Sequence, residues 1–191
     1  EVQLVICEDT RQTRKLICRY GIDVPPSSLH SHTPQAKIDH LLDRIESGTT
    51  AAYLTDSGTP AISDPGSRIV SDARARGISV FPLPGPSALA ALLSVSGFPG
   101  STVIFTGFLS KKEGRRVKEL ELLKAVPSIL VIYESPYRIK KTLTDLQTVF
   151  PGARIVIGRE MTKHFEEYIT GTIEDVIGAI DSLKEKGEFT I

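Results

Sequence analysis

The residues best suited to chemistry sit in one short stretch, Thr55 to Gly66, which reads T-D-S-G-T-P-A-I-S-D-P-G. It follows the apolar run Ala51-Ala52-Tyr53-Leu54 and precedes a helix-like segment near Ser67, so it reads as a loop at the carboxyl end of a strand. Ligands sit at that edge in open α/β sheets. Gly58 lets a ligand approach the main chain, and Pro60 and Pro65 stiffen the turn around it. A second rigid turn, Leu83-Pro84-Gly85-Pro86-Ser87-Ala88, feeds another helix and offers backbone N–H groups at its start.

Basic residues cluster twice. Arg11, Arg14, Lys15 and Arg19 share one face of an expected helix whose other face carries Leu16, Ile17 and Tyr20. Lys111, Lys112, Arg115 and Arg116 crowd the start of a later helix, where cations oppose the helix dipole and a phosphate partner would relieve the conflict. His30, His32 and His40 lack the further ligands a metal site needs. Neither a G-x-x-x-x-G-K-[ST] loop nor a G-x-G-x-x-G turn occurs. A small adenosine-bearing ligand held by main-chain groups, with acidic side chains on ribose hydroxyls, remains compatible with the Gly-Pro loops.

The elements that must position these residues alternate as in a parallel sheet. Val2–Cys7 reads as a buried strand, Ile22–Ser31 as a loop, and a helix follows with Thr33 as N-cap, Pro34 in its first turn and Gly48 past its end. Ala51–Thr55 is a strand, a helix stops at Gly77, Ile78–Phe81 is a strand, and Ala88–Val95 is a helix. The pattern resets at Gly97-Phe98-Pro99-Gly100, which places a domain boundary between residues 98 and 99. Beyond it come strand Thr102–Thr106, helix Glu113–Lys124, strand Ser128–Tyr133, helix Pro136–Val149, strand Ala153–Gly158, an extended piece Glu167–Thr170 and a last helix capped by Thr172. The chain starts on a strand and Glu188–Ile191 reads as a strand entered and cut, so both α/β domains, 1–98 and 99–191, are expected to be incomplete parts of a longer protein.

Composition narrows the class. The 191 residues are 40% hydrophobic and 24% charged, enough for one substantial core or two modest ones. With 23 basic and 23 acidic residues, no overall charge points to nucleic acid, and local clusters carry that reading instead. No apolar run nears the roughly 18 to 20 residues that span a bilayer, and no basic-then-apolar leader is seen, so a cytoplasmic, membrane-free protein is expected. Cys7 and Cys18 read as reduced, buried thiols.

Five ordered motifs together resemble the bacterial small-subunit ribosomal RNA methyltransferases of the tetrapyrrole methylase superfamily. They are Thr55–Gly66, P-G-P-S-A at Pro84–Ala88, F-T-G-F-L at Phe105–Leu109, Y-E-S-P-Y-R at Tyr133–Arg138 and G-R-E-M-T-K-H-F-E-E at Gly158–Glu167. The resemblance implies two α/β domains with S-adenosylmethionine folded between them, a homodimer, and 2′-O-methylation of a cytidine ribose in small-subunit (16S) ribosomal RNA or the assembled subunit. It further implies cofactor contacts from Asp56, Ser57, Gly58, Thr59, Pro60, Ala61, Ile62, Pro84, Ser87, Ala88, Tyr133 and Glu134. The superfamily's Gly-Pro loop after its first strand is missing from this sequence.

A ribose hydroxyl is a poor nucleophile that a positioned base would help. Glu8, Asp9, Asp64, Glu134, Glu160 and Lys163 lie on expected loop edges, with Glu8, Asp9, Glu134 and Lys163 as the leading catalytic candidates. Arg11, Arg14, Lys15, Lys111, Lys112, Arg115, Arg116 and Arg138 are the candidate RNA contacts, with Arg159 and Lys163 as further phosphate holders. Two alternatives stand beside this reading. A tetrapyrrole C-methyltransferase would need no basic helix face, and a non-catalytic RNA-binding module would show no heat of cofactor binding.

Overall fold

A computed structural model describes residues 1–180 and 183–191. Its chain forms two compact units, residues 1–86 and 87–191.

In the first unit, strands β1 (Leu4–Cys7), β2 (Pro26–Ser28) and β3 (Ala51–Leu54) form a parallel sheet in the order β2-β1-β3. Helices α1 (Thr10–Arg19) and α2 (Gln35–Glu46) make the two crossovers that parallel pairing requires, and α3 (Gly66–Ala75) follows β3. β1 is buried at every position, as a central strand covered on both faces must be. Leu4 and Ile6 meet Leu29, Ile38, Leu41, Leu42, Ile69 and Ala73 in one core.

In the second unit, helix α4 (Ala88–Ser96) precedes β4 (Val103–Phe108), α5 (Glu113–Lys124), β5 (Ile129–Glu134), α6 (Ile139–Val149), β6 (Arg154–Arg159), β7 (Glu167–Thr172), α7 (Ile173–Gly178) and β8 (Phe189–Thr190). The sheet order is β4-β5-β8-β6-β7, with β4 parallel to β5, and β8 inserted antiparallel to both β5 and β6. Because β5 and β6 are each antiparallel to β8, they run parallel to one another. The register sharpens this: Phe108 lies opposite Tyr133, and Phe189 lies opposite both Glu134 and Arg159. The loops that follow β4, β5 and β6 therefore leave one edge of this sheet at the same height. Leu120, Ile132, Ile139, Leu143, Ile157, Ile173 and Phe189 form its core.

The α/β class and most elements match expectation, and four local features differ. Ile78 and Val80 pack on the first core, but residues 78–81 pair with no strand among the described residues, and Phe81 and Leu83 are 82% and 86% exposed. Alternating hydrophobicity marks an extended segment here, yet Pro82, Pro84 and Pro86 supply no N–H to continue a ladder. The expected loop 22–31 contains β2, a three-residue edge strand that opens on Pro26, the position where a strand tolerates proline. Thr33 is not the cap of α2: Pro34 takes that position and the Thr33 hydroxyl accepts a hydrogen bond from the His30 N–H at 2.8 Å. Cys7 is buried as expected, whereas Cys18 is exposed, because α1 buries only Thr13 and Ile17.

α4 belongs with the second unit, twelve residues ahead of the boundary suggested at residue 98, because it packs on β6 and β8. Gly158 permits that approach. A Cβ there would lie 2.5 Å from the Met161 sulfur and 3.0 Å from Leu92 Cδ1.

Candidate functional site

In the first unit, β1 and β3 pair in parallel with Cys7 opposite Leu54, so Glu8 and Thr55 leave the sheet side by side. The Glu8 N–H donates to the Leu54 carbonyl at 3.3 Å, and the Thr55 hydroxyl donates to Glu8 Oε2 at 3.4 Å. Among the described residues, the Glu8 carboxylate has no ion-pair partner. Asp9 is different: it caps α1 by accepting the Arg11 N–H at 2.8 Å and pairs with the Arg11 guanidinium at 2.7 Å. Those bonds, the side-chain one first, hold its carboxyl down at about 2. Asp9 is thereby a weak base, and Arg11 spends much of its charge locally.

Asp64 organises the Thr55–Gly66 loop. Its carboxylate accepts the Ala61 N–H at 2.9 Å, the Gly66 N–H at 2.6 Å and the Tyr53 hydroxyl at 3.4 Å. Burial, followed by the negative charges of Asp64 and Glu8, raises the Tyr53 pKa, so this phenol stays protonated. Ala61 (φ 67°) and Ser63 (φ 62°) are left-handed, a conformation costly for residues with a Cβ and offset here by the Asp64 bonds. The Thr59 hydroxyl donates to the Pro86 carbonyl at 2.9 Å, tying this loop to the proline-rich segment.

With Asp64 and the Thr59 side chain committed, the N–H groups of Asp56, Ser57, Gly58 and Thr59 have no acceptor among the described residues. Gly58 has φ +73° and open space around it, so glycine is favoured there by backbone conformation. Ile62 is partly exposed beside these groups. A groove of about 370 Å³ beside Thr55 and Asp56 is bordered by Gln12, Lys15, Leu16 and Arg19 of α1. Lys15 and Arg19 therefore lie close to the strand-end loop, while Arg14 sits exposed on the same helix.

In the second unit, charged motif residues are largely consumed by structure. The Glu134 carboxylate is buried, accepts the Ser135 N–H at 2.7 Å and the Thr142 hydroxyl at 2.6 Å, and pairs with Arg138 at 3.1 Å. Arg138 Nη2 also donates to the Leu109 carbonyl at 2.8 Å. Arg116 is 3% exposed, with Nε on Asp145 at 2.5 Å and Nη1 on the Ser110 carbonyl at 3.2 Å. The two guanidiniums thus clamp the Leu109–Ser110 corner, joining the F-T-G-F-L and Y-E-S-P-Y-R motifs. Arg116 and Arg138 are not free RNA contacts, and Glu134 is not a free base. Lys111, Lys112 and Arg115, by contrast, are exposed and lack carboxylate partners among the described residues.

Lys163 Nζ lies 3.0 Å from both Glu160 and Glu188. Burial works against its charge, yet the hydrogen bonds to Glu188 and Glu160 prevail and raise its pKa, the wrong direction for a base. The Glu188 N–H, and then Lys163, hold the Glu160 carboxyl below its ordinary range. Arg159 is buried and paired with Glu167 at 2.8 Å.

Tyr133 packs edge-on against Phe105 at 4.7 Å and Phe108 at 6.0 Å, and its hydroxyl accepts the Leu89 N–H at 3.3 Å, anchoring the start of α4. Ser87 caps that helix by accepting the Ala90 N–H at 3.4 Å, while Ala88 occupies its first turn and Pro84 is exposed in the first unit's terminal segment. A further groove of about 440 Å³ in the second unit is lined mainly by aliphatic residues of α4, β5 and β6, with Arg154 its one charged residue among the described residues. It offers no acid–base chemistry.

Asp64 and Thr142 are organising partners of the two motifs. The D-P-G turn signals the first, whereas no local pattern signals the second. Among the described residues no cluster of His, Cys, Asp and Glu could hold a metal, and no helix is long and apolar enough to cross a membrane.

Residues 1–177 match the family model described as Tetrapyrrole (Corrin/Porphyrin) Methylases. Proteins named ribosomal RNA small subunit methyltransferase I are 44% identical over all of this chain in Xylella fastidiosa (strain Temecula1), and 38% identical over all of it in Bacillus subtilis (strain 168) and in Thermotoga maritima. The chain spans 71%, 65% and 86% of those three relatives. Among solved structures, cobalt precorrin-4 methyltransferase is similar at TM-score 0.67 and 17% identity, covering 99% of this chain and 82% of that one. The Thermus thermophilus uroporphyrin-III C-methyltransferase complexed with S-adenosylhomocysteine is similar at TM-score 0.62 and 16% identity, covering 100% and 84%. The chain therefore belongs to the tetrapyrrole (corrin/porphyrin) methylase family, alongside relatives named ribosomal RNA small subunit methyltransferase I.

Proposed function

We propose that this chain carries S-adenosylmethionine-dependent methylation of small-subunit ribosomal RNA, with the 2′-hydroxyl of a cytidine ribose as acceptor. The observation that carries this reading is identity of 38–44% over the whole of this chain to proteins named for that RNA, against 15–18% to the solved tetrapyrrole enzymes and related structures.

The residues present fit the cofactor. Unsatisfied N–H groups at Asp56–Thr59 suit a carboxylate or hydroxyl acceptor, the exposed Asp56 carboxylate suits ribose hydroxyls, and Ile62 offers an apolar contact. Bound S-adenosylmethionine supplies a methyl group made electrophilic by a sulfonium. The protein's part is then to bind, orient and manage one proton, and alignment accounts for most of the acceleration. Of the four catalytic candidates, Glu8 is the one whose carboxylate is partly exposed and free of an ion pair, so it takes the proton at a carboxylate oxygen while Thr55 fixes the side chain. Lys15, Arg19, Lys111, Lys112 and Arg115 neutralise phosphates.

The test supplies labelled S-adenosylmethionine with small ribosomal subunits, naked ribosomal RNA or tetrapyrrole precursors. Label in 2′-O-methylcytidine is expected after nucleoside digestion. Label in the tetrapyrrole alone would sink the reading.

A further inference from the structure

Two large aromatic side chains stand in solvent on the second unit without a role in its core: Tyr137, 87% exposed, and Phe165, 67% exposed. Tyr137 lies three residues beyond the end of β5, and Phe165 six beyond the end of β6. Since Glu134 and Arg159 are level across β8, both rings belong to the same sheet edge. Lys111, Lys112 and Arg115 follow β4 on that edge, again level through the Phe108–Tyr133 register.

These rings are held out by built turns. Before α6, the Ser135 carbonyl accepts the N–H groups of Arg138 and Ile139, each at 3.1 Å, and the Arg138 side chain is locked to Glu134 and Leu109. Around Phe165, Glu160 (φ 49°) and Thr162 (φ 68°) adopt left-handed conformations, Glu166 accepts the Thr162 N–H, and His164 packs edge-on against the Phe165 ring at 4.8 Å. Exposed aromatics that share a sheet edge with cations lacking carboxylate partners among the described residues match what unpaired nucleotides require: π-faces for bases and positive charge for phosphates.

We propose that Tyr137 and Phe165 are base-stacking residues that grip unpaired nucleotides of the substrate RNA, whose phosphates are neutralised by Lys111, Lys112 and Arg115. This rests on the RNA-methylation reading and names the residues that recognise the strand. It demands a single-stranded or splayed-out segment, because a base inside a duplex cannot present its face to a side chain.

Fluorescence anisotropy with a short unstructured oligoribonucleotide, and with an abasic strand of equal length, tests this. Tyr137→Ala and Phe165→Ala should each weaken binding of the base-bearing strand by about 10- to 100-fold and leave the abasic strand unaffected, with Tyr137→Phe close to wild type. Lys111→Ala with Lys112→Ala should weaken both strands and flatten the salt dependence. Equal affinities across the aromatic variants, or equal losses on both strands, overturn the proposal. So does an altered sedimentation coefficient of Tyr137→Ala at unchanged RNA affinity, which would assign the ring to a protein contact.

Methyl transfer to small subunits, measured in parallel, separates the two readings. Ring-dependent RNA binding without any methyl transfer sustains stacking and overturns the enzymatic reading. Methyl transfer by a protein whose RNA affinity ignores both rings overturns stacking alone.

Discussion

Glu8 and Glu134 occupy matching places in their respective units, each at or just past the carboxyl end of a parallel strand. Their fates are opposite. Glu134 is buried among Ser135, Thr142 and Arg138, and every oxygen has a donor. Glu8 is half-buried, and among the described residues its carboxylate has a single hydrogen bond, from the Thr55 hydroxyl at 3.4 Å. A buried carboxylate tolerates the interior only when paired, and pairing removes it from chemistry; an unpaired one at the surface keeps its lone pairs available. The same contrast separates Arg116 from Lys111, Lys112 and Arg115. Motif residues of one charge type thus divide into a scaffold set and an available set according to what they touch.

The sharpest break of that division targets Arg116. Arg116→Ala should cost about 3–5 kcal/mol of unfolding free energy in a urea titration, because Asp145 is left buried without its partner. Arg116→Met combined with Asp145→Leu should recover most of it. A cost near zero for the single variant would place Arg116 in the available set. Glu134→Gln comes next, at about 2 kcal/mol, since it weakens the bonds to Arg138 and Thr142 while preserving shape.

Gly58→Ala should cost about 1–2 kcal/mol through its left-handed backbone. Because nothing crowds the added Cβ, a crystal structure of that variant should show the loop adjusted and the rest of the first unit unchanged.

The smallest effect is the titration of Asp9. Its folded-state pKa, about 2, lies below the ordinary value of 3.8, so its contribution to stability is present above pH 3.8 and lost as the pH falls through about 2. NMR titration of the Asp9 carboxyl should give that midpoint, and Arg11→Ala should return it toward the ordinary value.

Much of this arrangement was legible in the residues. Thr172 caps α7 through a reciprocal bond with Asp175, as its place before Ile173, Val176 and Ile177 suggests. Gly21 and Gly48 both end helices in left-handed conformations. The strand-end position of Thr55–Gly66 follows from the apolar run before it. Arg116 was half legible: it stands four residues before buried Leu120 on one helical face, but its partner Asp145 is 29 residues away, beyond any periodic signal.

Strand identity failed where partners decide it. Residues 78–81 have strand-like alternation and no strand partner among the described residues, whereas Pro26–Ser28 looks like a loop and pairs with β1. The insertion of β8 between β5 and β6 is a long-range choice that local pattern does not encode.

The most direct measurement is the methyl-transfer rate of Glu8→Gln at saturating donor and ribosomal subunits, taken beside its thermal unfolding midpoint. The account predicts a kcat about 100-fold or more below wild type with the midpoint unchanged. A Glu8→Gln enzyme that turns over at the wild-type rate would contradict it, and would return the proton to a group outside the four candidates.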